Sequence, residues 1–326
     1  MNPQPIAVAL APPWEGVAVP DGYQLAGGGV SLVKDSGRAI EKLAGPAWIK
    51  ATTADDAGRF GIVVAWIDRL GQLRERAFPC QRLHDAGRIL TQLLARYGLA
   101  IVPGKERALA TYLGNFEGIS TWRAVTRAGW LDSRDGRLGY ILAGSEDLIG
   151  DAGSMPVVVQ PEQRSITEVA ARPCGTLGEW HRYVLDPCRA NPGLLFTILA
   201  ALAAPLLKPA RLESGGFHLY GRSSRGKTTA LQAAASVFGC GADPADCAEH
   251  AYIQRWNTTA NALEAIAATH NDAPLLLDEL HSLDAKDLGR VVYNLTGGRG
   301  KASLTKDRDY REPRVWRCPA TDGVIL

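Results

Sequence analysis

Residues 217–229 read Phe217-His-Leu-Tyr220, then Gly221-Arg222-Ser223-Ser224-Arg225-Gly226-Lys227-Thr228, then Thr229. A short apolar run leads into a loop of the form GxxxxGK[ST], and an alanine-rich helical stretch from Thr229 to Phe238 leads out, stopped by Gly239. That strand–loop–helix context is what a phosphate-cradling Walker A loop requires. Gly221 and Gly226 let the backbone curl so that successive N–H groups converge on phosphate oxygens, and the helix N-terminus adds partial positive charge. Lys227 is the candidate partner of the β- and γ-phosphates, and Thr228 offers a hydroxyl to Mg²⁺. The predicted nucleotide-binding set is therefore Gly221, Arg222, Ser223, Ser224, Arg225, Gly226, Lys227, Thr228 and Thr229, with ATP and Mg²⁺ as the bound pair.

Such a loop needs an acidic residue at the end of a second buried strand. Leu275-Leu276-Leu277-Asp278-Glu279 supplies it, with Pro274 tolerated where the strand begins. Between the two lie a strand-like stretch, Ala251 to Trp256, and a helical one, Thr258 to His270. Asp278 is the candidate Mg²⁺ partner alongside Thr228, and Glu279 the candidate general base that polarises the attacking water. With Lys227 they form the predicted catalytic set. A carboxylate placed for water points to an ATPase motor of helicase or AAA+ type, because a small-molecule kinase transfers to a bound hydroxyl instead.

Beyond Glu279, a predicted helix from Asp284 to Leu295 opens into Gly297-Gly298-Arg299-Gly300-Lys301. From Arg299 to Arg317 seven basic residues stand against three acids, with Tyr310 and Trp316 between them. Arg299, Lys301, Lys306 and Arg308 are candidates for contact with nucleic-acid phosphates or with a neighbouring subunit's nucleotide, and a solvated loop is the plain alternative.

The rest of the chain sets the frame. At roughly 150 residues per domain, 326 residues suggest two domains. Hydrophobic residues at 46% and charged residues at 21% exclude a disordered chain, and a net charge of +2 excludes a globally basic nucleic-acid coat. Six cysteines are scattered without a CxxC pair, so they read as reduced thiols of a cytoplasmic protein. Cys240, Cys247 and His250 match no common zinc spacing. The N-terminus lacks the pattern of a signal peptide, and Leu194 to Leu207, the most apolar run, is too short to span a membrane and reads as a buried core helix.

Upstream of about residue 170 the patterns predict an α+β domain of short strands. A loose Pro/Gly-rich arm comes first, and a hairpin follows with strands at Phe60–Ile67 and Gln72–Phe78. Next come an amphipathic helix from Leu83 to Tyr97 stopped by Gly98 and a shorter one around Ala108 to Leu113. Domain limits of 1–170 and 171–326 follow, the second holding a helical lead and then the strand–loop–helix.

The run Glu213-Ser-Gly-Gly-Phe-His-Leu-Tyr-Gly221, with Trp256, Leu263-Glu264, His270-Asn271-Asp272, Leu277-Asp-Glu-Leu280, Asn294-Leu295 and Gly300-Lys301-Ala302, resembles the "domain of unknown function 927" family. Gly22-Tyr23, Gly129-Trp130, Gly175-Thr176-Leu177 and Trp180 fit the same pattern. These are phage and plasmid proteins grouped with helicases and primase–helicases. The resemblance implies an α/β P-loop NTPase with a helicase- or AAA+-like parallel sheet. It also implies action on single-stranded or forked DNA, and a ring of identical subunits where the full domain exists. In that pattern a further core strand with a polar sensor residue follows the acidic strand, and a later arginine completes the site in a neighbouring subunit. Here the chain turns into Cys318-Pro-Ala-Thr-Asp-Gly323 and reaches Leu326, so that strand and arginine are expected to be missing and hydrolysis impaired.

Overall fold

The computed structural model describes residues 11–33, 39–84, 87–131, 136–144, 147–160, 170–222, 226–247, 250–280, 285–300, 303–304, 310–311 and 313–323. The chain divides into two compact units, one running to Val125 and including Met155–Glu162, the other Thr126–Ser154 with Gln163–Leu326. Residues 126–154, which the linear reading assigns to the first domain, thus group with the second unit.

In the first unit, strands Tyr23–Ala26 (β1), Gly29–Val33 (β2) and Ala39–Ala44 (β3) form an antiparallel meander. Strands Ala47–Ala54 (β4), Phe60–Ile67 (β5), Leu73–Pro79 (β6) and Thr121–Val125 (β7) build a mixed sheet. After Gly129–Trp130 (β8), Gly139–Ile141 (β9) and Leu148–Gly150 (β10) of the other unit, Val157–Val159 (β11) returns to complete the order β11-β7-β4-β5-β6. Helices Arg88–Arg96 (α1) and Glu106–Gly114 (α2) supply Leu90, Leu94, Leu109 and Leu113 to a core with Trp48, Trp66 and Phe78. Buried polar tips are satisfied: Trp66 donates to Tyr97 O at 3.1 Å and Tyr112 to Ala47 O at 2.9 Å. Burial raises the Tyr112 phenol well above its usual range.

The second unit opens with the antiparallel sheet β10-β9-β8. Leu177–Trp180 starts a helical run with a capping box, Thr176 accepting from the Glu179 N–H and Glu179 from the Thr176 N–H. Helix Pro192–Ala203 (α3) is capped by Asn191. It is twelve residues long, and among the described residues no helix is long and apolar enough to cross a membrane. Its expected full burial is not what the fold provides. Thr197, Ile198, Ala200 and Ala201 face inward, whereas Phe196, Leu199 and Leu202 stand out from the surface of the unit.

The central layer is a parallel sheet of Gly216–Leu219 (β12), Gln254–Arg255 (β13), Leu275–Asp278 (β14) and Ala320–Gly323 (β17), in the order β12-β17-β14-β13. Helices Lys227–Ala235 (α4), Ala260–Thr269 (α5) and Ala285–Thr296 (α6) connect or follow these strands. A two-stranded antiparallel ribbon, Ser303–Leu304 (β15) with Tyr310–Arg311 (β16), precedes β17. Leu275, Leu276 and Leu277 are fully buried, as a central parallel strand covered on both faces requires.

β17 corrects the sequence reading. The strand expected to be missing is present, at Ala320–Gly323, hydrogen-bonded in parallel to β12 on one side and β14 on the other. Ala-Thr-Asp-Gly carries no apolar run and follows Cys318-Pro319, so it reads as a turn. Its strand character comes from the two neighbouring ladders, not from its own side chains.

Candidate functional site at the ends of the parallel strands

The register brings four strand ends into one row: Leu219 lies beside Gly323, Gly323 beside Asp278, and Asp278 beside Arg255. The Gly221–Thr228 loop leaves β12 at this edge, and Glu279 follows Asp278 there. In open α/β sheets the crevice outside the carboxyl ends of the strands is where ligands bind.

Gly221 has φ +150° and Gly226 +81°, the second a left-handed residue at the N-cap of α4, with open space where a Cβ would stand. Gly226 offers α4 no side-chain cap, and the first-turn N–H groups of such a helix end are the kind that an anion satisfies. Lys227 turns back over the loop and donates to the carbonyls of Gly221 at 2.9 Å and Arg222 at 3.0 Å. Phosphate oxygens can replace these carbonyls as acceptors of the Lys227 ammonium. Thr229 is exposed. Ser223, Ser224 and Arg225 lie outside the described residues.

Thr228 donates its hydroxyl to Asp278 Oδ2 at 3.1 Å. The other oxygen, Asp278 Oδ1, accepts the Glu279 N–H at 2.8 Å, and the Asp278 carbonyl accepts the Trp256 N–H at 3.1 Å. The carboxylate is thus fixed in orientation from both sides. A hydroxyl and a carboxylate oxygen set side by side at half-buried positions are the hard-oxygen donors that fit a hydrated Mg²⁺.

Glu279 has φ +63°, uncommon for a residue with a Cβ, and its Oε2 lies 3.7 Å from Arg255 Nε at the end of β13. Both side chains are about two-fifths exposed, 38% for Arg255 and 41% for Glu279, so the pair contributes little to folding. Arg255 is a residue at this edge that belongs to neither sequence motif. Its signal is a charged residue that follows the apolar run Ala251-Tyr-Ile253 after Gln254 and stands next to Trp256.

Of the basic stretch, Arg299 is described and exposed, and its backbone bridges to Val315. Lys301, Lys306 and Arg308 lie outside the described residues. Cys240, Cys247 and His250 do not converge: among the described residues no group of three or more His, Cys, Asp or Glu is placed to hold a metal.

At the opposite end of β14 a buried polar hub joins the elements of this unit. Asp272, at φ +55°, accepts from the Trp130 N–H at 3.0 Å and from Asn271 Nδ2 at 2.7 Å, while its own N–H donates to Arg317 O. Asn271 Oδ1 accepts the Arg317 N–H, and Tyr140 donates to Asp272 O. Burial raises the Asp272 carboxyl, opposed by hydrogen bonding from Trp130 and by Lys208, Arg127 and Arg317. The adjacent His270 is buried, and that burial pushes its imidazole down to about 4.

The family model for the domain of unknown function 927 matches residues 31–315. The chain belongs to this family. A comparison with curated proteins finds no match. Among solved structures, this family member is similar to "SCCmec type IV Cch - active helicase", with a TM-score of 0.70 and 20% identity. The similarity covers 94% of this chain and 54% of that one, so the 927-family chain spans about half the length of its structural relative. At this identity the likeness is one of fold.

Proposed function

We propose that the chain binds ATP with Mg²⁺ at the Gly221–Thr228 loop and hydrolyses it as the P-loop motor of a helicase-like protein of a mobile element, acting on DNA. One observation carries the reading: the Thr228 hydroxyl and the Asp278 carboxylate meet at 3.1 Å directly after the lysine that opens α4. Two segments 50 residues apart converge there on the donors that a magnesium–nucleotide site needs.

In this reading Lys227 and the first N–H groups of α4 hold the phosphates. Thr228 and Asp278 would hold Mg²⁺, which when bound supplies charge neutralisation across the β- and γ-phosphate oxygens. Glu279, next in the chain, takes the proton of the attacking water. Hydrolysis balances as the γ-phosphoryl bond breaks, the water oxygen bonds to phosphorus and ADP leaves with the bridging oxygen.

The parallel order β12-β17-β14-β13 supports a motor reading, because it sets a strand between the loop-bearing and acid-bearing strands. The alternative, a shortened chain that at most binds nucleotide, is less favoured because the core strand it was expected to lack is present at Ala320–Gly323. The adjacent Asp278-Glu279 pair speaks against a small-molecule phosphotransferase, whose acceptor needs no water-activating carboxylate. The family membership and the helicase fold of the structural relative support nucleic acid as the partner. A subunit ring is part of the same proposal.

The test is nucleotide binding and hydrolysis by the purified chain, with and without single-stranded DNA. Lys227→Ala abolishes binding, while Glu279→Gln retains binding and loses turnover by about 10²-fold or more. Undiminished turnover in Glu279→Gln would remove Glu279 from the base role.

A further inference from the structure

Helix α6 separates two faces cleanly. Leu288, Val291 and Leu295 recur at helical spacing, and Val291 and Leu295 pack in the core with Trp256, Leu263 and Trp316. On the opposite side Lys286, Arg290 and Tyr293 follow at i, i+4 and i+7, all exposed. Tyr293 is 78% exposed, which leaves its ring uncovered on this face.

The neighbours of Tyr293 on its own face are what make the exposure specific. The positions one turn before and after it, where side chains would lie over the ring, are Gly289 and Gly297. Among the described residues a Cβ at Gly289 would meet nothing within 4 Å, so their packing does not call for glycine there. Glycine inside a helix costs about 1 kcal/mol relative to alanine. A glycine without an internal reason, beside an uncovered ring, marks a place where another molecule comes close to the backbone.

Charge identifies the chemistry of that molecule. Residues 285–317 hold nine basic residues against four acidic ones, while the remainder of the sequence has 27 against 30. The whole positive excess of the chain therefore sits on α6 and the stretch that follows it. Lys286 and Arg290 also engage groups within the protein, so they add field along the face while the ring supplies the contact surface. Cations flanking an open aromatic ring are the elements of single-stranded nucleic-acid binding, where bases stack and phosphates are neutralised.

We propose that the outer face of α6 is a stacking platform for single-stranded nucleic acid, with Tyr293 stacking a base and Arg290 and Lys286 facing the backbone. The proposal rests on the helicase-like reading and assigns that reading a contact residue outside the Arg299–Arg308 stretch. It is tested with the full chain by fluorescence anisotropy on a labelled oligo-dT strand and on a duplex of equal length. Tyr293→Ala weakens binding to the single strand about 5- to 100-fold, with the salt dependence unchanged. Tyr293→Phe stays within about 2-fold of the parent, because the ring and not the hydroxyl makes the contact. Arg290→Gln reduces the slope of log affinity against log salt by about 0.7.

Absence of single-strand binding by the parent chain overturns the proposal, as does parental affinity in Tyr293→Ala. A change of sedimentation coefficient in Tyr293→Ala with DNA affinity intact also overturns it, and marks the face as a protein contact instead. Lys227-dependent nucleotide binding, measured on the same samples, separates the two levels. Nucleotide turnover with DNA affinity indifferent to Tyr293 sinks the platform alone; Tyr293-dependent DNA binding without nucleotide binding sinks the ATPase reading alone.

Discussion

Acidification from pH 7.5 to 5.0 should destabilise this protein through one buried imidazole, His270, at the C-terminal end of α5. Its Nδ1 lies 2.8 Å from Ile266 O, and its ring packs edge-on against Tyr252 with centroids 5.0 Å apart. Burial holds its pKa at about 4, against 6.5 for a free histidine. The lowered folded-state value means that the unfolded chain binds the proton first. The contribution is complete above pH 6.5 and is lost progressively as pH falls from 6.5 towards 4. Between pH 7.5 and 5.0 the linkage amounts to about 2 kcal/mol. Asp272 next to it works in the opposite sense, since its raised pKa lets the folded state take up a proton earlier on the acid side.

The assay is urea unfolding at pH 7.5, 6.0 and 5.0 for the parent and for His270→Gln. The parent should lose about 2 kcal/mol more than the variant over that range. Should His270→Gln fold poorly, the ring can be followed in the parent by NMR, where it should remain neutral at pH 6. Equal acid sensitivity in both proteins, or titration of His270 above pH 6, would refute the burial argument. The consequence for function is local, because His270-Asn271-Asp272 anchors the start of the strand that ends in Asp278.

Three further outcomes follow from particular contacts. Gly129→Ala sets a Cβ 2.7 Å from Asp272 Oδ2 at φ +105°, and should cost about 2–3 kcal/mol in chemical denaturation; a loss below about 0.5 kcal/mol would contradict the hub. Thr228→Ala should raise the Mg²⁺ concentration needed for half-maximal nucleotide binding, with Thr228→Ser restoring it, and should change folding stability by no more than about 1 kcal/mol. Arg255→Ala should lower stability by less than about 1 kcal/mol, as the exposure of its pair with Glu279 requires, and a loss above 2 kcal/mol in thermal unfolding would show that the pair is structural.

Much of the second unit can be read from residues alone. The run before Gly221 becomes β12, the alanine-rich stretch becomes α4, and the three leucines before Asp278 become a buried strand, because local pattern and tertiary role agree there. The hairpin at Phe60–Ile67 and Leu73–Pro79 is legible for the same reason, with alternation and turn residues pointing one way.

What escapes the sequence is what depends on distant partners. Ala320–Gly323 is a strand only because β12 and β14 flank it. Arg255 becomes part of the candidate site only through its register with Asp278. The buried Asp272 looks like a turn residue until Trp130, 142 positions away, donates to it. The outward lean of Phe196, Leu199 and Leu202 is likewise invisible in a helix whose sequence is apolar on every side.

The central claim is that Lys227, Thr228, Asp278 and Glu279 form one magnesium–nucleotide site. Its most direct test is equilibrium binding of a fluorescent ATP analogue with turnover measured on the same preparations of parent, Lys227→Ala and Glu279→Gln. The parent should bind in a Mg²⁺-dependent way, Lys227→Ala should not bind, and Glu279→Gln should bind without turnover. Binding by Lys227→Ala equal to that of the parent would contradict it.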